Sequence, residues 1–157
     1  MKMLQVETWL NNEILRTRSE EIKPNEIKKY EKLGNEMIKY IKDPKNGWVG
    51  LAAPQVGVNK RIVVVSLLRD REDEDFKTVM MINPEILEHS ETTDTEEEWC
   101  LSVPGSTGKV ERFLSIKLRY LDNKGKEKNL RLTGVSARIV QHEIDHLNGE
   151  LFVDKLV

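Results

Sequence analysis

The stretch Gln141-His142-Glu143-Ile144-Asp145-His146-Leu147 decides how the rest of the chain is read. An α-helix turns about 100° per residue, so His142 and His146, four apart, project side by side from one face and can grip one cation. Glu143 stands beside them as a carboxylate able to reach a water without itself being a ligand. That is the arrangement of metal-assisted hydrolysis of an amide or ester. The predicted helix runs from about 134 to 147, with Thr133 placed to cap its N-terminus and Asn148-Gly149 supplying a left-handed stop.

Working back from this helix, Leu114, Ile116, Leu118 and Tyr120 alternate with polar residues, the period-two signature of a strand wet on one face. Asp122-Asn123-Lys124-Gly125 turns it into Glu127–Leu132, a hairpin. The acidic stretch Glu85 to Glu98 reads as solvated loop. Thr78–Leu87 reads as a strand that Asn83-Pro84 confines to a sheet edge or a bend, and Arg61–Leu67 as a buried strand. Trp48 to Gly57 mixes small residues, glycines and apolar residues, which suits a close backbone approach to a substrate or another strand. Pro24 to Lys42 carries apolar residues at helical spacing until Asp43-Pro44, with its lysines on a solvated face. Residues 1–23 read as an extended arm anchored by Ile14-Leu15.

At 157 residues, 38% apolar and 33% charged, one soluble domain spanning 1–157 is expected. With 25 basic against 27 acidic residues, bulk charge gives no reason to expect nucleic acid or a membrane surface. The polar N-terminus and the lack of a long apolar run suggest a cytoplasmic protein. Cys100, the single cysteine, has no internal partner for a disulfide.

A catalytic metal wants three protein ligands and an open position. The metzincin pattern would put a third histidine where Phe152 stands, and the gluzincin pattern needs a later helix, whereas eleven residues follow His146. Glu150 and Asp154 are downstream carboxylates that also read as ordinary surface residues. Cys100 is a soft donor suited to zinc or ferrous iron, yet a lone buried cysteine also reads as inert core. Spacing alone does not choose among them.

Three blocks in order resemble peptide deformylase: Trp48-Val49-Gly50-Leu51-Ala52-Ala53-Pro54-Gln55, Glu98-Trp99-Cys100-Leu101-Ser102 and Gln141–Leu147. They are similar to that family's Gly-x-Gly-x-Ala-Ala-x-Gln, Glu-Gly-Cys-Leu-Ser and Gln-His-Glu-x-Asp-His-Leu. The resemblance implies an α+β fold of small antiparallel sheets around a central metal-binding helix, with the 24–42 helix outside. It implies removal of the formyl group from N-formylmethionyl nascent peptides, with Cys100, His142 and His146 as metal ligands. Fe(II) is the implied metal, with Ni, Co or Zn as alternatives. Glu143 would move the proton, and Gln55 with the Leu101 backbone N–H would hold the oxyanion. Val49 and Gly50 would meet the bound peptide, Arg112 would lie close to the site or else pair with the acidic 85–98 region, and Gln141 and Asp145 would support the ligands. His89 reads as a solvent-facing strand residue.

Four departures from the pattern stand out. Trp48 and Trp99 replace glycines, and either form a substrate rim or pack as core. Arg138 stands where the resemblance implies an apolar residue facing the methionine pocket, so its guanidinium must snorkel out or pair with an acid. The chain stops at Val157, as shortened bacteriophage deformylases do, leaving ribosome contact to surfaces other than a C-terminal helix. A zinc endopeptidase and a catalytically silent deformylase-like binder are the competing readings.

Overall fold

The computed structural model describes residues 4–70 and 72–157. Seven strands and three α-helices are found among them: α1 (Glu13–Arg16), α2 (Ile27–Lys42), β1 (Gly50–Ala52), β2 (Ile62–Leu67), β3 (Lys77–His89), β4 (Thr93–Trp99), β5 (Thr107–Phe113), β6 (Ser115–Leu121), β7 (Glu127–Thr133) and α3 (Gly134–Leu147). A five-stranded antiparallel sheet has the order β1-β2-β3-β6-β7, and β4-β5 form a separate hairpin. This is the α+β arrangement the sequence led us to expect. No helix among the described residues is long and apolar enough to cross a membrane.

Strand β2 shows why the sheet is covered on both faces. Its run Ile62-Val63-Val64-Val65 is fully buried, and successive side chains point to opposite sides. Val63 and Val65 join Met81, Leu118, Val140, Ile144 and Leu147 in the core under α3, while Ile62 and Val64 join Met37, Ile41, Met80 and Ile82 under α2. A third cluster, comprising Leu15, Cys100, Val103, Val110, Leu151 and Phe152, fastens the β4-β5 hairpin to the N-terminal segment and the chain's final turn.

Several local expectations change. Of the two alternatives at Asn83-Pro84 the bend is found and the edge is not, since β3 is the central strand. Asn83 takes φ +51° at a break in register between Ile82 and Glu85. Its amide bonds the N–H and the carbonyl of Ile22, both at 2.8 Å, replacing the pairing lost at the proline. The acidic stretch is strand rather than loop, because β4 pairs with β5 from Thr93–Phe113 to Trp99–Thr107. Within the arm Asn12 caps a short helix through Ile14 N–H at 2.9 Å and buries Leu15 completely; residues 1–3 of the arm lie outside the described residues. Thr133 occupies the N-cap position of α3 without a side-chain cap bond, its hydroxyl going to the Leu114 carbonyl at 3.3 Å. The C-terminus of α3 is closed by Arg61, which donates to the Leu147 carbonyl at 3.1 Å and suits the negative end of the helix dipole. Gly149 follows at φ +76°, where an added Cβ would run into the backbone of Arg16.

Candidate active site

Helix α3 carries an apolar face into the sheet, which leaves its histidine face turned toward the β4-β5 hairpin. His142 and His146 sit one turn apart with ring centroids separated by 5.1 Å. Cys100 follows directly on β4, and the donor atoms of Cys100, His142 and His146 all lie within 4.8 Å of one another. Cys100 Sγ and His146 Nε2 are 3.4 Å apart. Bonds of about 2.3 Å to sulfur and about 2.0 Å to nitrogen at a tetrahedral angle place donors roughly 3.5 Å apart. The three side chains therefore fit one transition-metal cation, and among the described residues no other group of histidine, cysteine and carboxylate donors is clustered in this way.

A cavity of about 360 Å³ opens beside these donors. Glu143 and Gln55 line it together with Gly50, Val49 and Leu101, so the residues expected in chemistry and in peptide contact share one wall system. Glu143 is buried, and its Oε1 meets no protein partner, which leaves that oxygen for a water or a substrate. Burial pushes its carboxyl up to about 7, against the pull of the neighbouring His142 charge. Burial likewise lowers His146 well below the ordinary histidine range, aided by the charges of His142 and Arg112, and a neutral imidazole is the ligand form.

Gln55 is held in one orientation. Its Oε1 accepts from the Ala52 N–H at 2.9 Å, and its Nε2 donates to Ser102 Oγ at 3.2 Å and toward Cys100 Sγ at 3.4 Å. The amide N–H₂ is thereby presented on the cysteine side of the site. Gly50 pairs with Val65 in the edge strand β1, and any Cβ there would collide with the Glu143 carboxylate. Glycine at this position is what lets the strand edge and the carboxylate come together.

Glu98 is the residue that sequence reasoning missed, having been placed in a solvated loop. It is 6% exposed, and its Oε1 bonds His142 Nδ1 at 2.8 Å, leaving Nε2 of that ring for a cation. Arg112 donates to it through Nε at 2.9 Å and Nη2 at 2.8 Å. Burial works to raise the Glu98 carboxyl, but the bonds from Arg112 and His142 outweigh it and hold the group well below the usual carboxylate range. The available signal was position: in a β-strand, Glu98 lies on the face opposite Trp99.

Of the two alternatives for Arg112, contact with the substrate site or pairing with the acidic region, the structure shows the pairing. Arg112 does not line the cavity; it is buried between Glu98 and Asp145, donating to the latter at 2.5 Å. Asp145 supports the ligands through Arg112 and Glu98 rather than by touching a histidine, and Gln141 ties α3 to β5 through the Phe113 backbone, donating to its carbonyl at 2.8 Å and accepting from its N–H at 3.1 Å. Trp48 and Trp99 both line the cavity; Trp99 is 49% exposed, whereas Trp48 is also partly buried against the core cluster that holds Leu51 and Ile62, so the packing alternative holds in part for Trp48. Arg138 is buried and paired with acids instead of facing solvent. His89 is at the exposed end of β3, stacked on Phe113 at 3.7 Å, and is not among the clustered donors.

A family model described as polypeptide deformylase matches residues 4–157. A peptide deformylase of Prochlorococcus marinus strain NATL1A is 48% identical over 125 residues, covering 80% of this chain and 60% of that one. The chain thus spans about 60% of the length of the first curated relatives it matches. A probable peptide deformylase from Synechococcus phage S-SSM7 has a similar structure, with TM-score 0.85, 40% identity and coverage of 98% and 99% of the two chains. So does a class I type b peptide deformylase from Acinetobacter baumannii solved with Met-Ala-Ser bound, with TM-score 0.88, 37% identity and 99% coverage of each chain.

Proposed function

The chain belongs to the polypeptide deformylase family, and on that premise we propose that it hydrolyses the formyl amide of N-formylmethionyl peptides at the N-termini of new proteins, releasing formate. The observation that carries this reading is the clustering of Cys100, His142 and His146 beside a cavity lined by the first two, whose walls also hold the unpartnered Glu143 carboxylate oxygen and the fixed Gln55 amide.

Cys100, His142 and His146 would hold the metal, which we take to be Fe(II), with Ni, Co or Zn as alternatives. When bound, the metal supplies Lewis-acid polarisation of the formyl group and makes water acidic enough to lose a proton near neutral pH. Glu143 Oε1 takes that proton and returns it to the departing amine nitrogen, so the carboxylate ends the cycle as it began. Gln55 Nε2 and the Leu101 N–H donate to the formyl oxygen as negative charge grows on it. The peptide lies in extended form along Val49 and Gly50, at the open edge of β1, a strand-addition mode of binding. Trp48 and Trp99 form the rim over which the residues following methionine pass.

We place this activity in a single domain acting in the cytoplasm, where the lone Cys100 stays reduced. An endopeptidase reading draws no support from the downstream carboxylates: Asp154 is paired with Arg16 at 2.5 Å and Glu150 with Lys155 at 3.6 Å. The test uses anaerobically purified protein, with metal content measured beside formate release from formyl-Met-Ala-Ser. About one metal per chain with turnover abolished in Glu143→Ala is the expected result. A loaded metal with no formate released would overturn the deformylase reading in favour of a silent binder.

A further inference from the structure

Arg138 stands one helical turn before His142 and lines the same cavity, yet its guanidinium is spent elsewhere. Nη1 donates to Glu98 Oε2 at 2.5 Å and to the Val110 carbonyl at 2.9 Å, while Nη2 donates to the carbonyl and carboxylate of Asp94, each at 2.9 Å. One side chain of α3 thereby reaches both strands of the β4-β5 hairpin. That matters because the candidate centre is built from two pieces, the helix with the two histidines and the hairpin whose end carries Cys100.

The bonds around Glu98 show what this tie does. Oε1 takes His142 Nδ1 and Arg112 Nη2, and Oε2 takes Arg112 Nε and Arg138 Nη1. A carboxylate offers about four acceptor sites, so all are occupied. Arg112 grips Glu98 from the Asp145 side and Arg138 from the Asp94 side, so the carboxylate that orients His142 cannot swing about its own strand. Two guanidinium donors also draw negative charge away from it, limiting how much Glu98 lends to the imidazole opposite.

We propose that Arg138 is a positioning residue for the metal centre: through Glu98 it fixes the ring of His142, and through Asp94 and Val110 it sets the hairpin that brings Cys100 to the histidines. This rests on Cys100, His142 and His146 holding the metal. Side chains that orient ligands in this way change metal affinity by roughly 10- to 100-fold when removed.

The experiment loads wild type, Arg138→Met, Arg138→Lys and Asp94→Asn with Co(II), then follows cobalt loss to a chelator and the visible absorption of the bound cobalt. Arg138→Met keeps an unbranched stem against the cavity but no donor. It should lose cobalt about 10-fold faster or more, with a shifted absorption band. Arg138→Lys restores one charged donor and should fall between Met and wild type, and Asp94→Asn should also quicken loss. Retention and spectrum unchanged in Arg138→Met, or Arg138→Lys no better than Arg138→Met, would overturn the proposal. If Arg138→Met does not fold, Asp94→Asn decides it, unchanged retention there counting against. Wild type that takes up no cobalt would overturn the metal reading itself and this inference with it.

Discussion

His142 Nδ1 and Glu98 Oε1 are 2.8 Å apart, joining the helix that offers two imidazoles to the strand that leads into the thiol. The contact fixes which ring nitrogen faces the cavity. Replacing Glu98 by Gln removes the charge between Arg112, Arg138 and His142 while keeping the shape. Metal retention should fall about 10- to 100-fold, and the fold should lose on the order of 1–3 kcal/mol, because the two buried guanidiniums lose their shared charged partner while Arg112 keeps Asp145 and Arg138 keeps Asp94. Chelator competition and urea denaturation measure the two effects separately; a variant as stable as wild type would show that the ion cluster contributes nothing net.

Gly50→Ala places a methyl group where the Glu143 carboxylate now lies. The fold has room to adjust the side chain, so melting should change little. Displacement of the base by about 1 Å should lower kcat by roughly 100-fold. Full activity in Gly50→Ala would mean that Glu143 works equally well from a shifted position, and would remove the steric reason for glycine here.

Trp48→Gly and Trp99→Gly open the rim of the cavity. Rates on formylated di- and tripeptides should diverge from those of wild type, with KM for the longer peptide rising by a few fold and kcat for the dipeptide unchanged. Each indole covers apolar surface worth about 1–3 kcal/mol if a peptide side chain packs on it. An unaltered preference in both variants sinks the rim role.

Leu15→Ala tests the short α1 helix as a support for the site. Leu15 is fully buried in the cluster that also contains Cys100 and Phe152. The cavity left behind should cost about 2–5 kcal/mol. Equilibrium denaturation reads this directly, and a loss under about 0.5 kcal/mol, the range of surface substitutions, would mean the arm merely lies on the hairpin.

The strand at 115–121 was legible because its buried and less buried residues alternate, the strand at 62–67 because a β-branched run buried on both faces stands out by composition, and the central helix because its histidine spacing and end signals mark it even though nearly all its faces are buried. The ligand set was legible from motif resemblance rather than from spacing, since Cys100 lies 42 positions before His142 and nothing local joins them. Glu98 and Asp94 were hidden for the opposite reason. Acidic residues in a run look solvated, and their burial depends on Arg112 and Arg138 arriving from β5 and α3, contacts no sequence window contains. At Asn83-Pro84 the bend was legible, but not that the amide of Asn83 finds its partner 61 residues away at Ile22.

The two-sided burial of β2 also sets where this chain can change length. Adding or deleting one residue between 62 and 67 would exchange the side chains facing α3 with those facing α2, and would shift β1 past β2 so that Gly50 no longer sits at Glu143. Beyond the buried Leu68, the charged residues 72–75 of the connection that precedes β3 carry no such phase. Insertions, tags or labels belong there, and variation in length among working forms of this protein should collect in that connection while the strand before it keeps its count.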